Sequence, residues 1–221
     1  MTAREIAQVI DHTLLKPEAG RSAIDQLCRE AAEYGFASVC VNPYWVAPAS
    51  AALQGTGVPV CSVIAFPFGV TPSAVKCKEA EQALTDGATE IDMVANLGAL
   101  ADEDWSFLAA DIREVRAVTQ GHTLKVILET ALLTSNKIAL VAELAAQQGV
   151  DFVKTSTGFH PSGGATIDAI RTMRKAVGPS VGVKASGGIR DLATVLAMLD
   201  AGATRIGASA GVSIVKGVAQ T

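Results

Sequence analysis

Gln148-Gly149-Val150-Asp151-Phe152-Val153-Lys154-Thr155-Ser156-Thr157-Gly158-Phe159 reads as a helix end, a glycine turn, a short strand and a loop. The apolar, β-branched run carries one lysine, then breaks into three small hydroxyl residues and a glycine. Side chains alternate along a strand, so if Val153 and Thr155 face outward, Lys154 faces inward. A lysine aimed into an interior is costly unless paired or neutralised. It is either a structural ion-pair partner or an amine nucleophile kept neutral by its surroundings.

The same helix–glycine–strand junction recurs at Tyr34-Gly35-Phe36, Asp86-Gly87-Ala88 and Ala201-Gly202-Ala203, each about two strand–helix units from the next. Between these marks, period-two and apolar runs give strands near Ile10–Leu14, Ala37–Val41, Pro59–Ala65, Glu90–Val94, Leu124–Leu128, Phe152–Thr155, Val181–Lys184 and Arg205–Gly207. Helices are expected near 22–34, 43–54, 72–86, 103–119, 135–148, 166–176, 191–200 and 209–218, after a leading helix near 2–9. Ser22, Thr71, Asp102, Thr134 and Ser209 stand where N-caps are wanted, with Pro72 at a first helical position. An open doubly wound sheet is the alternative. Eight similar units favour an α/β fold of the (β/α)8 TIM-barrel type with an extra N-terminal helix. No low-complexity linker divides residues 1–221, which are read as one domain.

Composition narrows the function. The chain has 221 residues, 49% hydrophobic and 5% aromatic, and a formal charge of -4. That charge argues against general affinity for nucleic acid or anionic membranes, so any phosphate must be bound locally. Cys28, Cys40, Cys61 and Cys77 show no CxxC spacing, which argues against a zinc site or disulfide framework. The N-terminus has no secretion-signal pattern. Tyr34–Val75 is free of charge but broken by prolines and glycines, so no membrane span is expected. A soluble, cytoplasmic protein follows.

A barrel places its active site at the C-terminal ends of its strands. Polar residues collect there: Asp11 on the first strand, Asp92 between Ile91 and Met93, Lys125 among apolar neighbours, Lys154, and Lys184 in similar surroundings. Lys125 and Asp11 alone could be a structural pair. Three interior lysines on neighbouring strands raise one another's cost, and one should release its proton. Gly158, the pair Gly187-Gly188, and Gly207 with Ser209 follow the last three strands. Gly-Gly by itself is a generic turn, but in a barrel these loops commonly hold phosphate on backbone N–H groups.

The segments VKTSTGF (153–159), VKASGGIR (183–190), EIDMV (90–94), LKVILET (124–130) and IDHTLLKP (10–17) resemble the 2-deoxyribose-5-phosphate aldolase family over nearly the whole chain. The resemblance implies a class I lyase without metal or cofactor. It would cleave 2-deoxy-D-ribose 5-phosphate reversibly to acetaldehyde and D-glyceraldehyde 3-phosphate, in deoxyribonucleotide catabolism. By position, Lys154 falls on the Schiff-base lysine, Lys184 on the second lysine, and Asp92 on the acid/base that works through a water. Asp11, Lys125 and Thr157 fall on the supporting network, and Gly158, Gly187, Gly188, Gly207 and Ser209 on the phosphate pocket. Two positions depart from some members: Phe159 replaces a phosphate-holding lysine, and the chain ends Ala219-Gln220-Thr221 without a terminal tyrosine.

Two other readings remain at this stage: a Schiff-base barrel lyase for a different phosphorylated carbonyl compound, and a phosphate-binding barrel without lysine chemistry. The expected partner is a small phosphorylated aldehyde. The stretch 43–54 has no charge, unusual for an outer helix, and points to a homodimer or homotetramer.

Overall fold

A computed structural model describes residues 1–218; the terminal Ala219-Gln220-Thr221 noted above lies outside the described residues. The chain opens with helix α1 (Ala3–Ala7), held by a reciprocal cap in which Thr2 accepts from the Glu5 N–H and Glu5 from that of Thr2. Eight parallel strands follow: β1 (Ile10–Leu14), β2 (Ser38–Val41), β3 (Val60–Ile64), β4 (Glu90–Val94), β5 (Thr123–Ile127), β6 (Phe152–Lys154), β7 (Gly182–Ser186) and β8 (Arg205–Ala208). They pair in sequence order, and β8 closes on β1. The fold is the (β/α)8 barrel with an added N-terminal helix.

Outside the strands run α2 (Arg21–Tyr34), α3 (Val46–Ala52), α4 (Ser73–Thr85), α5 (Leu97–Ala101), α6 (Trp105–Val118), α7 (Ser135–Gln147), α8 (Ile167–Val177), α9 (Leu192–Asp200) and α10 (Gly211–Gly217). Helix α8 shows why they form. Thr166 caps it by accepting from the Ala169 N–H, and Arg174 and Lys175 oppose the dipole in its last turn. Ala169, Ile170, Met173 and Val177 share its buried face. Removing side chains such as Ile170 and Met173 from water contributes roughly 1.5–3 kcal/mol each. The opposing sheet face is equally apolar, with Val39, Ile91, Met93, Val126, Val153, Val183 and Ile206 fully buried. Among the described residues, no helix is long and apolar enough to cross a membrane.

Several local expectations change. Of the five proposed caps, Thr134 does cap its helix, accepting from the Lys137 N–H. Ser22 lies inside α2, which starts after Gly20. Pro72, not Thr71, takes the N-cap position of α4. Asp102 ends α5, and Asp104 caps α6 by accepting from the Phe107 N–H. The helix expected over 103–119 is thus preceded by α5, started by Asn96, whose side chain accepts from the Gly98 and Ala99 N–H groups. Ala210 rather than Ser209 precedes α10, which frees the Ser209 side chain from a capping role. The stretch 43–54 splits into a 3-10 turn, Pro43–Trp45, and α3.

The barrel's inside differs from the usual stack of branched apolar side chains. Register sets Asp92 beside Lys125 and Lys154 beside Lys184, and alternation turns all four inward. Among the described residues, Leu15, Cys40, Cys61 and Val63 form a small separate apolar cluster. Glycine makes the room. A Cβ on Gly207 would lie 3.2 Å from Cε of Lys184 and 3.0 Å from Cβ of Ser186.

Candidate active site

Asp92 is the hub of the interior. Its Oδ2 lies 2.7 Å from Nζ of Lys154 and 2.7 Å from Nζ of Lys184, and its Oδ1 accepts from Lys125 at 2.8 Å. Lys184 reaches Asp11 as well, at 2.5 Å. Lys125 reaches Glu90 at 2.6 Å. Arg205, from the N-terminal end of β8, bonds Asp11 at 2.7 Å and approaches Glu90 at 3.4 Å. The cluster therefore holds four basic side chains (Lys125, Lys154, Lys184, Arg205) and three carboxylates (Asp11, Glu90, Asp92).

Burial and pairing act in opposite directions here, and pairing wins. Burial pushes the Asp92 carboxyl up, but the ammonium groups of Lys125, Lys154 and Lys184 hold it well below the usual carboxylate range. Burial likewise opposes ionisation of Asp11, which Lys184, Lys125 and Arg205 still hold low. Burial disfavours charge on Lys184, yet Asp11 and Asp92 keep it above the ordinary lysine value. Lys125 is held up in the same way by Asp92. Lys125 and Lys184 are thus fixed cations at neutral pH.

Lys154 stands apart geometrically. A cavity of about 410 Å³ opens above the cluster, and Lys154 lines it, whereas Lys125 and Lys184 do not. The expected residues Thr157, Gly158, Gly187, Gly188, Gly207 and Ser209 line the same cavity. The structure therefore gathers every sequence-selected residue into one site: Asp11, Asp92, Lys125 and Lys184 below, Lys154 at the floor, and the hydroxyl and glycine residues around the wall. Phe159 also lines the wall, with its ring edge-on to Phe66 at a centroid distance of 5.2 Å.

The loops after β6 and β7 are bolted together. Thr155 Oγ1 donates to the Ser186 carbonyl and accepts from the Ser186 N–H, while Ser186 Oγ donates to the Ser156 carbonyl at 2.6 Å. A Cβ on Gly164 would lie 2.2 Å from the Gly187 carbonyl oxygen, so the two backbones meet where only glycine fits.

Sequence reasoning missed five contributors. Glu90 and Arg205 complete the charge cluster; Glu90 was legible, since it stands two residues before Asp92 on the same strand face. Glu129 is buried and accepts from Thr157 Oγ1 at 2.5 Å, which fixes the loop after Lys154. Lys16 and Arg190 line the cavity as exposed cations near the glycine loops. Arg190 falls within VKASGGIR, but nothing in that segment says where its side chain goes.

Among the described residues, Cys40, Cys61 and Asp92 form a group close enough to share a metal ion. Three lysine side chains already occupy Asp92, and the charge of Lys125 and Lys184 opposes a cation there.

A barrel with Lys154 at the floor of a glycine-walled cavity fits an aldolase. The chain belongs to the DeoC/LacD family of aldolases, whose profile matches residues 6–220. It is similar to deoxyribose-phosphate aldolase 1 of Bacillus licheniformis, at 56% identity over 97% of this chain and 96% of that protein. The deoxyribose-phosphate aldolase of Halalkalibacterium halodurans is likewise 56% identical, over 97% and 96%. Among solved structures, the tetrameric deoxyribose phosphate aldolase of Aeropyrum pernix superposes with a TM-score of 0.91 at 33% identity, covering 97% of this chain and 91% of that one.

Proposed function

We propose that this protein is a deoxyribose-phosphate aldolase and that Lys154 is its Schiff-base nucleophile. It cleaves 2-deoxy-D-ribose 5-phosphate reversibly to acetaldehyde and D-glyceraldehyde 3-phosphate. The observation that carries the assignment is that Lys154, alone of the three clustered lysines, opens onto the cavity. The charge count agrees: with Lys125, Lys184 and Arg205 charged, a neutral Lys154 leaves the three carboxylates balanced.

In this mechanism the Lys154 amine adds to the aldehyde carbon of the open-chain sugar and expels water, forming an iminium ion. Asp92, relayed by a water in the cavity, takes the proton of the carbon-three hydroxyl. The bond between carbons two and three breaks, its electron pair flows into the iminium, and glyceraldehyde phosphate leaves. The remaining enamine is protonated at carbon two, and hydrolysis of the new imine releases acetaldehyde and restores Lys154. The iminium is the electron sink, so the cycle calls for no metal. Lys184 holds Asp11 and Asp92 together and stays charged throughout. Borohydride with acetaldehyde should leave a two-carbon adduct on Lys154, read by peptide mass spectrometry. An adduct on another lysine, or one formed with dihydroxyacetone phosphate but not with acetaldehyde, would overturn the reading.

With Phe159 in place of a lysine, the substrate phosphate rests on backbone N–H groups near Gly188 and Gly207 and on the Ser209 hydroxyl. Lys16 and Arg190 supply positive charge at the mouth. Ser209→Glu should raise KM for the phosphorylated sugar by about tenfold or more, because a fixed anion repels the dianion, and change KM for deoxyribose by about twofold or less. Equal losses on both would place the phosphate elsewhere.

The uncharged stretch from Tyr44 to Leu53 leaves Tyr44 80% exposed, with Ala47 and Ala51 also at the surface. We assign this face to a subunit interface in a homodimer or homotetramer, and light scattering at micromolar concentration should show no stable monomer. The four free cysteines fit a reducing, cytoplasmic setting.

A further inference from the structure

We propose that Cys61 is a positioning residue of the reaction: its thiol clamps one oxygen of Asp92, so that the carboxylate keeps its aim while its partners at the other oxygen change. This rests on Asp92 being the proton acceptor argued above.

Cys61 sits on β3 and is fully buried. Register places it beside Cys40 on one side and Glu90 on the other, and alternation turns it into the barrel. Its Sγ lies 3.1 Å from Asp92 Oδ1 and 3.3 Å from Lys125 Nζ. A thiol carries one proton, so it donates to the carboxylate and accepts from the ammonium. Burial, the Cys40 thiol and the Asp92 charge all push the Cys61 thiol well above its ordinary value, which keeps that proton in place.

The division of labour on Asp92 follows. Oδ1 is held by Lys125 and Cys61, two groups that take no part in bond making. Oδ2 is held by Lys154 and Lys184. When Lys154 becomes an iminium nitrogen bonded to substrate, it surrenders N–H donors, and Oδ2 must turn to a new partner. With Oδ1 gripped by Lys125 alone, the carboxylate could swing about that single contact. A further ammonium could also grip it, but would lower its basicity further. A neutral donor holds the carboxylate without that penalty.

The test separates two steps in acetaldehyde alone. Imine formation is read by the rate of borohydride trapping at Lys154, and proton transfer by exchange of the acetaldehyde methyl protons with deuterated solvent. Cys61→Ala should leave trapping within about twofold of wild type and slow exchange by about fivefold to tenfold, as loss of one weak donor to a charged group would. Cys61→Ser should recover exchange to within about twofold, because the hydroxyl also donates. KM for the sugar phosphate should stay within about twofold in both. Exchange at the wild-type rate in Cys61→Ala, parallel loss of trapping and exchange, or a serine variant no better than alanine would each overturn the proposal. Wild-type protein that traps acetaldehyde but exchanges no methyl protons would instead overturn the role given to Asp92, and this inference with it.

Discussion

Lys154→Met is expected to abolish borohydride trapping and lower kcat/KM by about 10⁴-fold or more, while the melting temperature stays level or rises. The two effects share one cause. Methionine removes the one amine of the buried cluster that faces the cavity. It also replaces a buried amine, whose protonation would leave one cation more than the three carboxylates balance, with an apolar side chain of similar length. Activity and stability therefore move in opposite directions, as they do where a site stores unfavourable interactions. Lys184→Leu provides the contrast. With Lys184 gone, Asp11 and Asp92 lose their shared ammonium, and Lys154 becomes the third cation needed to balance them. Two ammonium groups within a few ångströms repel by roughly 1–4 kcal/mol, depending on the effective dielectric. Losing that repulsion should move the pH dependence of trapping alkaline. At pH 7 the rate should fall by about 10-fold to 10³-fold, and a trappable adduct should return at high pH. A Lys184→Leu profile that overlays wild type would mean that the second lysine does not govern the first.

The barrel was legible because its signals are local and repeated. Gly35, Gly87, Gly149 and Gly202 each end a helix and all have positive φ in the structure. Errors clustered at helix starts, where Ser and Thr are common both as caps and as ordinary first-turn residues. Ser22 and Ser209 were indistinguishable from Thr134 until the backbone was known.

Site residues divided along similar lines. A lone lysine in an apolar strand is a strong signal, and Lys125, Lys154 and Lys184 all carried it. Arg205 opens its strand, where a charged residue normally reads as surface. Cys61 counts as apolar in any hydropathy pattern, so its contact with Asp92 gave no sign. Glu129 has a φ of 53°, outside any strand register, and its hold on Thr157 depends on two loops meeting in space. The contact between Gly164 and Gly187 is of the same kind.

Asp92→Asn should damage activity and stability together, unlike Lys154→Met. An amide cannot take the carbon-three proton, which alone costs about 10²-fold to 10⁴-fold in kcat. It also leaves Lys125, Lys184 and Arg205 facing only Asp11 and Glu90, a buried excess of positive charge even with Lys154 neutral. Breaking a buried ion pair by removing one partner costs about 3–5 kcal/mol. For a domain of this size that corresponds to a melting temperature lower by roughly 6–20 °C. The pH dependence should change as well. In wild type, Asp11 and Asp92 are held below their unfolded values, so their contribution is present above about pH 4 and is lost as acid protonates them. Lys125 and Lys184 are held above theirs, so their contribution is present below about pH 10 and is lost as pH rises past that value. Without Asp92 the alkaline side should improve instead, because raising the pH lets a buried lysine shed its surplus charge. Thermal melts of Asp92→Asn should therefore show stability rising from pH 6 to pH 9, where wild type is flat. A variant whose melting temperature is unchanged, or independent of pH over that range, would show that Asp92 is not the common counter-ion of the three lysines.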